Sequence, residues 1–301
     1  MVKWGRDTQL SVRMFLVMFL LAVVYLAFIA ILASAGVSLI FLVVVAILLL
    51  AVQYFFSDKI ALLSMGAHEV TEQEAPQLHE TIGRLAQIAD LPKPRVALAR
   101  TSMPNAFATG RNPKNAVIAV TTGLMERLEP RELEAVLAHE MTHIRNRDVV
   151  VMTVASFFAM VAQLLMRMMF WGSLFGGGFG GGGRRDRNEE GMMAFIYLAS
   201  ILVWIISFFL IRTLSRYREY AADRGSAIIT GSPSSLMSAL TKISGVMDRI
   251  PDKDLRQVQG MNALFISPAT KQTVSELFST HPTLEHRLAR LREMSREMEG
   301  M

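Results

Sequence analysis

The stretch Met14 to Ala35, MFLVMFLLAVVYLAFIAILASA, runs directly into Gly36 to Phe56, GVSLIFLVVVAILLLAVQYFF. Each run is close to the ~20 residues that a helix needs to cross a ~30 Å hydrocarbon layer. Lys3, Arg6 and Arg13 precede the first run as they would a secretory signal. Its apolar length exceeds the ~7–15 residues of a signal core, so it is read as a retained span. Only the small residues Ala33-Ser34-Ala35-Gly36 separate the two runs, which predicts a tight helical hairpin.

A second apolar pair follows, Val149 to Phe170 and Met192 to Ile211. Between them Phe175 to Gly183 is nearly all glycine and reads as a flexible loop within 172–191; no helix-starting Lys-Ser/Thr follows to make it a phosphate cradle. Composition agrees with a membrane chain. Of 301 residues, 52% are apolar and 19% charged, below the roughly 25% of an average globular chain, so much of the surface is predicted to avoid water. The 31 Lys and Arg against 26 Asp and Glu are too balanced to suggest nucleic acid, and the absence of cysteine excludes a disulfide scaffold. Twenty methionines, many in or near the spans, suit adaptable packing rather than copper binding.

Four spans put both termini on one side. Lys3, Arg6 and Arg13 before the first span, and Arg212, Arg216 and Arg218 after the fourth, mark that side as cytoplasmic; Arg184, Arg185 and Arg187 in the other loop weaken the bias without reversing it. The expected organisation is a tail 1–13, a hairpin 14–56, a first catalytic segment 57–148, a second hairpin 149–211 and a second catalytic segment 212–301.

The sharpest local signal is His139-Glu140-Met141-Thr142-His143, an H-E-x-x-H motif. Pro130 followed by Arg131 to Ala138 reads as a helix with proline in its first turn, so the motif is helical. The histidines then stand one turn apart on one face and can share a metal ion, while Glu140, about 100° round, can reach a water without ligating. An open zinc site needs a third protein ligand. The helix is expected to run on into the span at Val149, and the next span returns antiparallel to Ile211. His143 and Glu219 therefore lie at similar depths, about 9 Å and about 12 Å from the membrane, on helices packed about 8–10 Å apart. Asp223, one turn beyond Glu219, is placed to accept the other ring N–H of a ligating histidine. Zn2+, one per chain, held by His139, His143 and Glu219, with Glu140 taking a proton from water and delivering it to a leaving amine, describes peptide hydrolysis without a covalent intermediate.

Four stretches resemble the HtpX-type membrane zinc metalloproteases, relatives of the type I CAAX prenyl proteases. They are Asn105 to Gly110, His139 to Asp148, Ser215 to Asp223 and His281 to Leu288, and the likeness spans nearly the whole chain. The resemblance implies an integral protease of the bacterial inner membrane, with a cytoplasmic gluzincin-type catalytic domain, that degrades unfolded or damaged membrane proteins under stress. It also implies that Asn105, Ala106 and Phe107 lie near a sheet edge that pairs with extended substrate, a mode that tolerates varied side chains. His281 is implied to be near the cleft, where it could stabilise the oxyanion.

Read without the resemblance, Asn105 after Pro104 is equally a turn residue, and His281 is a solvent-facing loop histidine. His68, His79 and His286 receive no role. Asp148 is assigned a structural part, as a cap or a partner of Arg145 or Arg147, and Arg287, Arg290, Arg292 and Arg296 a solvated helix face. Asn115 to Thr122 and Arg95 to Ala99 read as strands. The fold expected is α+β: four transmembrane helices in two hairpins, with a mainly helical catalytic domain carrying a small sheet. Two other functions share these residues: a prenyl-peptide-processing membrane protease, and a non-catalytic metal-binding adapter in which His281 closes the site. A transporter is disfavoured because no Asp, Glu, Lys or His lies inside a predicted span.

Overall fold

The computed structural model of the chain describes residues 7–34, 38–174, 187–247, 249–250, 265–266 and 279–300. The glycine run at 175–183 and Ala35 and Gly36 of the break lie outside the described residues, as do Lys3 and Arg6.

Two apolar helices, α1 (Thr8–Ser34) and α2 (Leu39–Ser64), precede a compact α+β segment: β1 (Ala67–Glu69), α3 (Pro76–Ala89), β2 (Arg95–Ala99), β3 (Ala106–Thr109), β4 (Val117–Thr121), α4 (Thr122–Met125) and α5 (Pro130–Arg145). The chain then continues through α6 (Asp148–Leu174), α7 (Arg187–Thr230), α8 (Pro233–Met247) and α9 (Leu284–Glu299). Both helices flanking the glycine run extend further into 172–191 than expected.

Among the described residues, three helices are long and apolar enough to cross a membrane: Thr8–Ser34, Asp148–Arg167 and Gly191–Thr230. Phe15, Ile47 and Leu198 stand 72%, 63% and 64% exposed, an apolar surface that suits lipid and not water. One core of this region joins Leu21, Tyr25 and Phe28 of α1 to Ala155 and Ala162 of α6 and Val203 of α7. The Tyr25 hydroxyl donates to the Ala155 carbonyl at 2.5 Å, so a polar group buried between α1 and α6 is satisfied. Among the described residues α1 packs on α7 and α6, whereas α2 packs on α6, β1 and β3.

The sheet has the order β1-β2-β4-β3, with β2 and β4 parallel and both outer strands antiparallel. Strand alternation divides its two faces. Val96, Ile118 and Val120 join α3, α5, α8 and α9 in the main core, while Ala97, Phe107, Val117 and Ala119 meet Ala61 at the end of α2. The expected strands at 95–99 and 115–122 are found as Arg95–Ala99 and Val117–Thr121; β3, half of it alanine, carries no such pattern.

Pro130 opens α5 at its first position, and the Glu132 carboxylate accepts from the Glu129 N–H at 2.8 Å, satisfying an end donor. The expected continuity of α5 into the span is not observed. α5 ends at Arg145, Arg147 takes a left-handed φ of 55°, and α6 starts afresh at Asp148. The opposite holds for α7, which is one helix from Arg187 to Thr230 and carries the apolar run straight into the segment with Glu219 and Asp223. The expected division at 211/212 falls inside it.

Candidate active site

α5 lies buried between the sheet, α3, α7 and α8, and its crossing with α7 is tight. A Cβ at Gly225 would fall 2.3 Å from both Cγ2 and Oγ1 of Thr142, so only glycine permits this approach. About two turns of α5 away, the Ser226 hydroxyl donates to the Ala135 carbonyl at 2.6 Å. The two contacts set the distance at which α7 presents Glu219 to the histidines.

Ligand atoms of His139, His143 and Glu219 all lie within 4.8 Å of one another. The two Nε2 atoms are 3.1 Å apart, and they stand 3.6 and 3.5 Å from the Glu219 carboxylate oxygens. Each imidazole turns its other nitrogen to a carboxylate: His139 Nδ1 is 3.0 Å from Asp223 Oδ1, and His143 Nδ1 is 2.6 Å from Asp148 Oδ2. With each Nδ1 set beside a carboxylate, the two Nε2 atoms and the Glu219 carboxylate converge on one point. Only a positive charge reconciles that arrangement, so the donor set fits a metal cation with nitrogen and oxygen preference. Without a metal, a proton serves instead. Burial presses the His139 cation down, but the Asp223 and Glu219 carboxylates outweigh it and hold its pKa up at about 9.

Each orienting carboxylate lies beside an arginine, a buried one for Asp223 and a half-buried one for Asp148. Arg287 grips Asp223 through two bonds, Nε to Oδ2 at 2.9 Å and Nη2 to Oδ1 at 2.6 Å, and donates to the Ile266 carbonyl at 2.7 Å. Arg218 Nε lies 3.1 Å from Asp148 Oδ1. The site thus contains two His-Asp-Arg strings, His139-Asp223-Arg287 and His143-Asp148-Arg218. Sequence reasoning found Asp223 and missed the other three. The sequence suggests a cap or a partner of Arg145 or Arg147 for Asp148; it does start α6, and the left-handed turn at Arg147 also swings it back over His143. Arg287 was placed on a solvated face, yet it is 2% exposed. The available signal was position: Asp148 and Arg287 fall inside two of the four stretches on which the resemblance rested.

Glu140 is buried beside the cluster and accepts from the Ala108 N–H at 2.9 Å through Oε2. Burial pushes its carboxyl pKa up, against the nearby histidines. Ala108 belongs to the outer strand β3. Phe107 and Thr109 pair with Ala119 and Val117, and the Asn105 carbonyl accepts from Thr121 N–H at 2.9 Å, so alternate residues Ala106 and Ala108 turn their main chain to the cleft. Asn105 is not a turn residue but a fully buried one: its Oδ1 accepts from the Ile266 N–H at 3.1 Å.

His281 is likewise not solvent-facing. It is 4% exposed, with Nδ1 3.1 Å from Glu219 Oε2. Arg216 draws this segment in by donating to the Ser279 carbonyl at 3.0 Å. His281 stands outside the three-residue cluster and lines the same cavity as Glu140 and Glu219.

A helix-borne H-E-x-x-H pair, completed by a glutamate from α7 and set against a sheet edge at the foot of apolar helices, defines a membrane metallopeptidase. The profile of Peptidase family M48 matches residues 72–295, and the chain belongs to that family. It is 61% identical over 297 residues to a Protease HtpX homolog of Moorella thermoacetica, covering 98% of this chain and 97% of that one. A Protease HtpX homolog 2 of Methanosarcina mazei is 57% identical over 298 residues, covering 98% and 99%. The crystal structure of S. mikatae Ste24p shares the fold, with a TM-score of 0.53 and 20% identity over 95% of this chain and 67% of that one.

Proposed function

We propose that this membrane metalloprotease is a zinc endopeptidase of the inner (cytoplasmic) membrane. It cleaves misfolded or damaged membrane proteins in stress-linked quality control. His139, His143 and Glu219 hold the Zn2+, and Asp223 and Asp148 fix the ligand tautomers. α2 completes a set of four spans, which places both catalytic segments in the cytoplasm. The observation that carries the reading is the convergence of the His139 and His143 Nε2 atoms and the Glu219 carboxylate beside a buried Glu140.

Bound zinc supplies Lewis acidity that makes a water acidic near neutral pH and polarises a scissile carbonyl. The chain does the rest. Ala106 and Ala108 at the β3 edge bind extended main chain, with Phe107 and Asn105 holding that edge in place. Glu140, steadied through Oε2 by Ala108, takes the proton of the attacking water and returns it to the leaving amine. His281, oriented through Nδ1 by Glu219, donates from Nε2 to the oxyanion as it forms.

The test compares detergent-purified wild type with Glu140→Gln, measuring bound metal and cleavage of an unstructured membrane-protein fragment. Equal zinc with cleavage reduced roughly 10²- to 10⁴-fold is the expected result. Equal cleavage by both overturns the assignment of the base, and turnover confined to lipidated C-terminal peptides overturns the substrate class.

A further inference from the structure

The cavity that holds His139, Glu140, His143 and Glu219 does not end at the metal cluster. Its volume is about 410 Å³, within the roughly 300–1,000 Å³ of small-ligand sites, and it continues along α6 past Val149, Met152, Thr153 and Ser156. These positions repeat at intervals of three and four, so they form one stripe of the helix about 10 Å long. Ile211 of α7 faces them and Ala61 of α2 also lines the cavity.

This arm is mainly apolar, with Val149, Met152 and Ile211 lining it beside the hydroxyl residues Thr153 and Ser156. At its mouth Asp148 and Arg218 neutralise each other at 3.1 Å. In its depth the Ser156 hydroxyl donates to the Met152 carbonyl of its own helix at 2.8 Å, which leaves it no need of a polar ligand. The arm opens from the same space as Glu140 and His143, so a side chain entering it belongs to a residue beside the bond under attack.

Resting on the peptidase reading, we propose that this arm is the specificity pocket of the cleft. It takes a large apolar side chain, leucine, methionine or phenylalanine, from the residue flanking the scissile bond. Met152 sets its width and Ser156 its depth. Side chains of that kind are the ones a membrane span exposes when it unfolds, and α6 brings the pocket to the level at which such a segment leaves the bilayer.

The test uses full-length, zinc-loaded protein in detergent and quenched-fluorescent peptides that differ only in carrying Phe, Trp or Ala on either side of the cleaved bond. At one of the two positions wild type should favour Phe over Ala by roughly 10- to 200-fold in kcat/KM. Ser156→Leu, which shortens the arm, should lower that ratio at least fivefold. Met152→Ala, which widens it, should raise Trp relative to Phe. Val154→Leu is the control, on the 52% exposed face of the same helix, and should leave both ratios unchanged. The pocket is overturned if wild type shows equal rates for Phe and Ala. It is also overturned if Ser156→Leu and Met152→Ala keep wild-type ratios while retaining bound zinc and the wild-type melting temperature. Absence of all cleavage by zinc-loaded wild type overturns the peptidase reading itself, and the pocket with it.

Discussion

Asp148→Asn is the substitution that separates a carboxylate orienting a metal ligand from one that merely starts a helix. Asp148 uses both oxygens, Oδ2 toward His143 Nδ1 at 2.6 Å and Oδ1 toward Arg218 Nε at 3.1 Å, and it is 2% exposed. Both partners are donors. An amide of the same shape has one acceptor and one donor, so it can satisfy only one of them. If its oxygen stays with Arg218, its NH2 faces His143, and the ring must shift its proton to Nε2, the atom needed for the metal. If its oxygen stays with His143, the NH2 faces the half-buried Arg218 guanidinium. The first arrangement removes the metal-competent tautomer, and the second keeps it only by setting an NH2 against the guanidinium.

Loss of such an orienting partner costs roughly 10- to 100-fold in metal affinity, which is about 1.4–2.7 kcal/mol. Competition with a chromophoric chelator at fixed pH reads that change directly, and melting of the metal-free protein reads any damage to the fold. The expected outcome is affinity reduced by at least tenfold with the metal-free melting temperature little changed. Affinity within twofold of wild type, with the fold intact, would refute the reasoning: Asp148 would then be a helix-start residue that happens to touch His143.

Arg287→Met leaves Asp223 buried without its counter-charge and should destabilise the catalytic domain by about 3–5 kcal/mol; Arg287→Lys, unable to grip both oxygens, should recover only part of the lost melting temperature. Gly225→Ala drives a methyl into Thr142 and should cost about 1–3 kcal/mol in thermal unfolding, with Thr142→Ala in the same chain restoring some of it. The metal-free protein should lose stability as pH rises. The folded His139 pKa of about 9 exceeds its unfolded value of about 6.5, so its contribution is complete below about 6.5 and gone once pH has passed through about 9. A melting temperature of the stripped protein that stays flat or rises over that range would contradict this.

The parts of the site legible from sequence were those fixed by periodicity along one helix or by depth relative to the membrane. His139 and His143 follow from 3.6 residues per turn, and Glu219 and Asp223 from two antiparallel helices entering and leaving one boundary. What stayed hidden depended on tertiary turns. Asp148 reaches His143 only because Arg147 adopts a left-handed φ of 55°. His281 is buried only because Arg216 holds the Ser279 carbonyl. Arg287 sits among other arginines on a helix whose pattern gives no sign that one of them is enclosed. β3 was illegible as a strand because its two alanines carry little β preference; its place is set by pairing with β4 and by the Asn105 contact to Ile266.

The unequal junctions of the two helices with the apolar region bear on how the site is kept in register. α7 is unbroken from Arg187 to Thr230, so Glu219, Asp223 and Arg218 move with the apolar part of the same rod. α5 is separated from α6 by the turn at Asn146 and Arg147, so its histidines are held to the membrane helices chiefly by side chains: the Ser226 and Gly225 contacts with α7, and Asp148 at the start of α6. A continuous α5–α6 helix would carry Asp148 about 140° round the axis from His143 and out of its reach, since five residues advance the screw by 500°. The break lets the first residue of a membrane helix orient a metal ligand. Filling it with helix-favouring residues at Asn146 and Arg147 should therefore weaken metal binding by removing that bond, even though neither residue touches the metal cluster.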